Sequence, residues 1–257
     1  MPQYLISPED ITGKNFKITN SSELWHLTKV LRIKPGETIN IFDGIDKHYL
    51  GEVTKIDIIE VQGKIIKEII YKKRDYTVRL FPSLINMERF EMMLEKATEV
   101  GVDIISPILT ERTMARIDAP KVNAKMERWK KIIVSAVKQC DCEKIPQLGD
   151  IAEFPQAVSS IEPASLNLIA YEAEPIENLL KKTLNSVERG SVKTVNLFLG
   201  PEGGFTEKEI ILAKGAGLKT FSLGQNILRA ETAAISCLSI IHSELYSGDT
   251  ILNRVVK

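Results

Sequence analysis

The sequence predicts a mixed α/β chain in two regions. A small strand-rich β-barrel with one helix comes first, and a larger region of alternating strands and helices follows. Three observations carry this. Residues 4–80 are dominated by alternating, β-branched runs broken by turn residues. From about Thr77 onward, apolar strand-like runs alternate with amphipathic helical stripes, the pattern of a mostly parallel sheet with helices on both faces. The length of 257 residues corresponds to about 1.7 average domains.

In the first region, Thr38–Phe42 alternates and runs into an Asp43-Gly44 turn. Residues 48–59 and Val61–Tyr71 read as strands, with Gln62-Gly63 expected to break the second. One short helix interrupts them. Ser21 or Ser22 is its expected cap, Leu24, Leu27, Val30 and Leu31 its apolar face, and Pro35-Gly36 its end.

The second region opens with a strand over 78–81. Asn86 then caps a helix whose stripe is Met87, Phe90, Leu94 and Ala97, and Gly101 closes it. Residues 104–109 form a second apolar run. A long helix over 121–140 follows, with Met126, Trp129, Ile133, Ala136 and Val137 on one face. Residues 152–165 read as a surface connection. A strand over Leu166–Ala170, a helix over 176–184 and a strand over 195–199 come next. Thr206 caps another helix, with Glu209 completing a capping box. A strand over 220–223 and a helix over 230–246 end the pattern.

Composition excludes several classes. The chain is 44% hydrophobic and 26% charged, ordinary for a globular protein and unlike a disordered or fibrous one. Lys plus Arg and Asp plus Glu are both 34, so a wholesale basic coat is excluded and only a local basic patch remains open. The best such patch is Lys64, Lys67, Lys72, Lys73, Arg74 and Arg79 against Glu68 and Asp75, interleaved with Tyr71 and Tyr76. No apolar run approaches the ~18 residues of a membrane span. The start, Met1-Pro2-Gln3-Tyr4, lacks a signal-peptide pattern. Cys140, Cys142 and Cys237 make no disulfide framework, so the expected compartment is a reducing cytoplasm. His26, His48 and His242 share no ligand spacing with Cys140 and Cys142, and no metal is expected.

Two segments carry chemistry. Leu199-Gly200-Pro201-Glu202-Gly203-Gly204-Phe205 lies at the carboxyl end of a buried strand, where open α/β sheets bind ligands. Its glycines let backbone approach a ligand closely; the plainer alternative is a tight strand-to-helix turn. The spacing is neither a phosphate-cradling P-loop nor a dinucleotide turn. The second segment, 222–234, also follows a strand and opens a helix. Arg229, Glu231 and Thr232 set a guanidinium, a carboxylate and a hydroxyl at a helix N-terminus, or else the last two only cap it. Ala230, Ala233 and Ala234 leave one helix face small. Arg112, just after a strand, suits a phosphate.

Taken in order, the motifs resemble the RsmE family of ribosomal RNA methyltransferases, within the SPOUT class. They are His26 with Val30-Leu31-Arg32, Glu95-Lys96-Ala97-Thr98-Glu99-Val100-Gly101, Thr110-Glu111-Arg112, Arg128-Trp129, Gln139-Cys140, Gly200–Phe205, and Leu223-Gly224 with Ile227-Leu228-Arg229-Ala230-Glu231-Thr232-Ala233. The resemblance implies a PUA-like RNA-binding β-barrel over 1–73 and a SPOUT methyltransferase domain over 74–257. That domain would carry a C-terminal trefoil knot at about 166–246, although general topology rules disfavour knots. It further implies a homodimer and S-adenosylmethionine as cofactor. The implied substrate is the uridine conventionally numbered 1498 in 16S ribosomal RNA of the small subunit, methylated at N3.

Mapped onto this chain, the implied cofactor site is Tyr171, Leu199, Gly200, Glu202, Gly203, Gly204, Leu223, Gly224, Ile227, Leu228, Arg229, Ala230 and Thr232. Arg229, Glu231 and Glu202 are the implied catalytic groups. A glutamate takes or relays the N3 proton, and Arg229 holds a uracil oxygen or a flanking phosphate. His26, Arg32, Lys72, Lys73, Arg74 and Arg112 are the candidate RNA contacts. One departure stands out. Cys142 occupies a position that is often Arg in the family, with Asp141 beside it. Two other readings remain: a SPOUT enzyme acting on a different RNA, and a catalytically idle RNA-binding protein.

Overall fold

The computed structural model describes residues 3–71, 74–115, 117–188, 190–246 and 254–256. It divides into two compact units. One comprises Met1–Lys73, Val137–Ile145 and Thr250–Lys257; the other comprises Arg74–Ala136 and Pro146–Asp249.

The first unit is built on one sheet. Its strands are β1 (Gln3–Leu5), β2 (Ile11–Thr12), β3 (Asn15–Ile18), β4 (Thr38–Phe42), β5 (His48–Ile56) and β6 (Val61–Tyr71). The order is β1-β4-β5-β6-β3-β2, antiparallel except for β1 beside β4, and residues 254–256 pair with the far end of β6. Tyr4, Phe16, Ile18, Leu27, Ile41 and Val53 form its core. The expected break at Gln62-Gly63 is absent. Gly63 instead lies opposite Phe16 within an unbroken β6. A Cβ there would sit 2.3 Å from both Glu52 O and Phe16 Cζ, so the glycine marks a close approach.

The short helix also departs from expectation. Helix α1 (Ser21–Trp25) is capped by Asn20, whose Oδ1 accepts the N–H groups of Ser22 and Glu23, and not by Ser21 or Ser22. A π-turn over His26–Val30 follows, in which the Leu31 N–H reaches back to His26 O at 3.0 Å. The extra residue in that turn rotates the stripe. Leu24 and Leu27 are buried, whereas Val30 and Leu31 turn outward. Gln3 and His48 hold the 137–145 segment in this unit: Gln3 Nε2 donates to Val137 O and Cys142 O, and His48 Nε2 bonds Glu143 O.

The second unit is a six-stranded parallel sheet. In chain order its elements are β7 (Thr77–Pro82), α2 (Met87–Val100), β8 (Ile104–Ile105), β9 (Ile108–Leu109), α3 (Val122–Cys140, of which Val137–Cys140 belong to the first unit), β10 (Gln147–Leu148), β11 (Ala152–Glu153) and α4 (Phe154–Ser159). They continue with β12 (Leu166–Ala170), α5 (Leu180–Asn185), β13 (Thr194–Leu199), α6 (Glu207–Gly215), β14 (Lys219–Phe221) and α7 (Ala230–Leu245). The sheet order is β10-β8-β7-β13-β12-β14, while β9 and β11 pair apart from it. The expected parallel sheet with helices on both faces is present. Phe81, Ile169 and Phe198 meet Phe154, Ala157, Val158, Ile210 and Ala213 from α4 and α6, with the Phe81 and Phe198 rings stacked at 4.2 Å. Helices α2 and α7 pack on one another elsewhere, burying Phe90, Met93 and Leu94 with Ala234, Cys237 and Leu238.

Two further expectations are corrected here. Residues 152–165 are not only a surface connection, because Phe154, Ala157 and Val158 fall at helical spacing and are buried. The helix expected over 176–184 is split at Leu179. A single turn over Ile176–Asn178 precedes α5, and the chain between them is extended. Tertiary pairing causes the break: Ser222 N–H donates to Asn178 O at 2.9 Å, and Leu180 N–H donates to Ser222 O at 3.1 Å. Among the described residues, no helix is long and apolar enough to cross a membrane.

Candidate functional site

Strands β13, β12 and β14 are neighbours, so their carboxyl ends open along one edge of the sheet. There the segments 170–172, 199–205 and 221–230, with Arg89 and Ala233, enclose a cavity of about 440 Å³. That volume lies within the roughly 300–1,000 Å³ of small-molecule sites. Buried Leu199, Phe205 and Phe221 supply apolar surface, and most of the remaining lining comes from the loops 200–204 and 222–229.

The first loop is tightly specified. The Gly204 N–H closes a turn onto Pro201 O at 2.9 Å, and Gly204 holds φ +66°, a conformation that favours glycine. A Cβ on Gly204 would meet Glu172 Oε1 at 2.1 Å. The Phe205 ring lies beneath Gly200, 3.2 Å from where a Cβ would be. It also packs on Phe154 with ring centroids 5.2 Å apart. The predicted capping box then starts α6: Glu209 N–H donates to Thr206 Oγ1, and Thr206 N–H donates to Glu209 Oε2 at 2.8 Å. In the second loop, Gly224 N–H donates to Ser222 Oγ at 3.2 Å. Arg229 is the extended N-cap residue of α7 and makes no side-chain cap. The first amides of that helix are therefore suited to a ligand's acceptor groups.

Twelve of the thirteen residues predicted for the cofactor site line this one cavity: Tyr171, Leu199, Gly200, Glu202, Gly203, Gly204, Leu223, Gly224, Ile227, Leu228, Arg229 and Ala230. Thr232 is exposed outside it. Of the predicted catalytic groups, Arg229 and Glu202 line the cavity. Glu202 also accepts the Asn86 N–H at 3.2 Å. Glu231 is buried in the first turn of α7, outside the lining, with Oε1 4.0 Å from Arg89 Nε.

Sequence reasoning missed Arg89 as a site residue. Arg89 sits in the first turn of α2, where Asn86 Oδ1 accepts its N–H at 3.5 Å. Its signal lay in the strand order. Strand β7 adjoins β13, with Pro82 opposite Leu199, so the segment leaving β7 opens on the same edge.

Of the candidate RNA contacts, His26 and Arg32 belong to the first unit and Arg74 and Arg112 to the second. His26 is half-buried, its Nδ1 2.9 Å from Tyr4 OH. Burial and then the Glu23 charge raise the Tyr4 hydroxyl pKa to about 12. Arg32 is exposed at φ +54°. Lys72 and Lys73 lie outside the described residues. Arg74 is turned inward, donating to Gly101 O and Asp103 Oδ1 at 2.8 and 2.9 Å, with Nη1 3.0 Å from His242 Nδ1. The Tyr76 hydroxyl meets the same His242 at 2.9 Å. Burial first, and then the Arg74 charge, lower the His242 pKa to about 4. Arg79 is also spent internally, on Ser106 and across the Phe81 ring. Arg112 donates to Gly203 O at 2.8 Å. The thiols of Cys140 and Cys142 lie 2.8 Å apart. Among the described residues, no group of three or more His, Cys, Asp or Glu could hold a metal ion.

Residues 72–242 match the RNA methyltransferase domain family, and residues 18–66 match the RNA methyltransferase PUA domain family. The chain is 29% identical over 247 residues to the ribosomal RNA small subunit methyltransferase E of Synechocystis sp., covering 95% of this chain and 78% of that protein. It is 28% identical over 244 residues to the protein of the same name in Bacillus subtilis, covering 91% and 93%. Its structure is similar to a ribosomal RNA small subunit methyltransferase E from Neisseria gonorrhoeae bound to S-adenosyl methionine. The TM-score is 0.81 at 26% identity, covering 95% of this chain and 97% of that one. A methyltransferase from Legionella pneumophila, solved with bound SAM, gives a TM-score of 0.78 at 29% identity over 94% and 96% of the two chains.

Proposed function

This chain belongs to the RNA methyltransferase family, and from that premise we propose that it methylates N3 of a uridine in 16S ribosomal RNA with S-adenosylmethionine as donor. The uridine is the one the RsmE resemblance implies. The observation that carries the reading is the cavity at the ends of β12, β13 and β14, where the two predicted loops converge. The fit is physical. Glycines line the cavity and add no side chain between a ligand and the backbone, buried leucine and phenylalanine provide apolar walls, and the N-terminus of α7 provides N–H donors. Both structurally similar enzymes named above were solved with this donor bound.

The donor supplies a methyl group activated by its positive sulfonium. The chain must hold it, align the uracil and remove the N3 proton. The loops 199–205 and 223–230 hold the donor through backbone groups, each hydrogen bond contributing about 0.5–1.5 kcal/mol net. Alignment by a rigid site can contribute about 7–11 kcal/mol to the rate. Arg229, exposed on the lining, holds the uracil oxygen where negative charge develops. Glu202 is the better-placed proton acceptor because it lines the cavity, while Glu231 orients Arg89 at its edge.

Residues 1–73 serve as the PUA-like RNA-binding β-barrel in this proposal, and 74–257 as the SPOUT domain with its knot at about 166–246. The chain acts as a homodimer, as the RsmE resemblance implies. RNA contact falls to His26, Arg32, Lys72 and Lys73.

Labelled methyl transfer to small subunits lacking the modification, followed by nucleoside mass spectrometry, tests the proposal. A 3-methyluridine product at the expected site is the result required. Donor binding without transfer would point to another RNA target and to the Cys142 departure. Neither binding nor transfer would favour an idle RNA-binding protein.

A further inference from the structure

We infer that Arg112 is a positioning residue for the 200–205 loop, acting on the bound donor through Gly203 without touching it. Its consequence for methyl transfer rests on the cavity being the donor site. The peptide between Gly203 and Gly204 is pinned at both ends. Its N–H, on Gly204, reaches Pro201 O at 2.9 Å, and its carbonyl, on Gly203, accepts from Arg112 Nη1 at 2.8 Å. The two groups of a trans peptide point in opposite directions, so neither can rotate without breaking the other's bond. The side chain also lies flat on the glycine: a Cβ at position 203 would be 3.3 Å from Arg112 Cβ and 3.5 Å from its Cδ. Gly203 is therefore the residue that lets the arginine close over the loop.

Arg112 is itself rigidly mounted. Thr110 and Thr113 staple the turn that carries it, through Thr110 N–H to Thr113 Oγ1 at 2.9 Å and Thr113 N–H to Thr110 O at 3.1 Å. The Glu111 N–H donates to Glu209 Oε1 at 2.9 Å, and Thr206 Oγ1 donates to Glu111 Oε2 at 3.3 Å. Glu209 is the capping-box residue of α6. The turn 110–113 is thus fastened to the helix that ends the loop, and Arg112 reaches from that anchor across to the glycines. Arg112 is exposed, yet its side chain is laid along Gly203 and bonded to the Gly203 carbonyl.

The test uses Arg112→Ala, Arg112→Lys and Gly203→Ala in the full chain. Hydrogen exchange across 201–205 is measured without ligand, with S-adenosylmethionine Kd by calorimetry and KM for RNA alongside. Arg112→Ala should speed exchange at the Gly204 amide and weaken donor binding about ten-fold, the scale of one charge-assisted hydrogen bond. The RNA KM should stay within about two-fold, well below that scale. Arg112→Lys should restore most of the donor affinity. Gly203→Ala should weaken binding in the parent protein but far less in the Arg112→Ala background, because the side chain it displaces is gone. Unchanged exchange and Kd with a raised RNA KM would overturn the inference in favour of direct RNA contact. Faster exchange throughout the chain would reduce Arg112 to a general stabilising role. If the parent protein binds no S-adenosylmethionine, the donor reading fails, while loop exchange still decides the role of Arg112.

Discussion

His242 should make the stability of the second unit sensitive to mild acid. It is packed against Arg74 and Tyr76, and Asp103 lies in the same network. Burial and the Arg74 charge lower its pKa from 6.5 to about 4, against a smaller opposing effect of Asp103. Above pH 6.5 the ring is neutral in both folded and unfolded chains, and its contribution is complete. As pH falls below 6.5, the unfolded chain takes up a proton that the folded chain refuses, and stability is lost until about pH 4. The span of about 2.5 units, 6.5 minus 4, at 1.36 kcal/mol each gives a loss of about 3 kcal/mol as an order of magnitude. About 2 kcal/mol of that should already be gone at pH 5. His242→Gln keeps an acceptor for Tyr76 and Arg74 but has no proton to gain. Urea unfolding at pH 7, 6 and 5 should show the parent protein losing about 2 kcal/mol more than the variant over that range. Parallel pH slopes in the two proteins would refute the reasoning, whatever their absolute stabilities.

Three further outcomes follow from the cavity. Gly204→Ala puts a side chain at φ +66° and against Glu172 Oε1. It should weaken S-adenosylmethionine binding in calorimetry, and adding Glu172→Ala should recover only part, because the backbone strain of about 1 kcal/mol remains. Phe205→Ala removes the buried ring beneath Gly200. It should lower stability by about 3–5 kcal/mol in denaturant titration and weaken donor binding with it. Arg229→Ala should leave donor affinity within about three-fold but cut single-turnover methyl transfer by about 100-fold, the scale of one lost transition-state donor. Unimpaired turnover would remove Arg229 from the chemistry.

What the sequence disclosed was mostly local. The Asn86 cap, the Thr206–Glu209 capping box and the parallel strand rhythm are each written within a few residues, and each is present. So are the two loops, because their glycines and following caps are contiguous. The misses arise where a distant partner decides. Gly63 reads as a break until Phe16 is found opposite it. The helix over 176–184 is sound by periodicity, yet Ser222 claims the backbone on both sides of Leu179. Phe154, Ala157 and Val158 carry a helical stripe too short to stand out among Pro and Ser. Charge was the least legible property. Arg74 and Arg79 belong to a basic run in the sequence, but strand geometry and the Asp103 carboxylate draw them inward. These two arginines therefore do not add to the basic surface that the run announces.

The glycine-rich loop shows how a motif can be legible while its meaning is not. Its three glycines look equivalent in sequence, as though each supplied flexibility. In the structure each yields to a different neighbour: Gly200 to the Phe205 ring below, Gly203 to the Arg112 side chain above, and Gly204 to the Glu172 carboxylate beside it. Only Gly204 also needs a left-handed backbone. The loop is therefore held rigid from three sides, the opposite of a flexible flap. This suits a site that must read a ligand with backbone groups, since a backbone donor or acceptor is only as well aimed as the peptide that carries it. It follows that alanine at the three positions should fail by separable routes. Removing the neighbour should relieve Gly203→Ala and the steric part of Gly204→Ala, whereas Gly200→Ala should not be relieved by truncating Phe205, because that ring is also the floor of the loop.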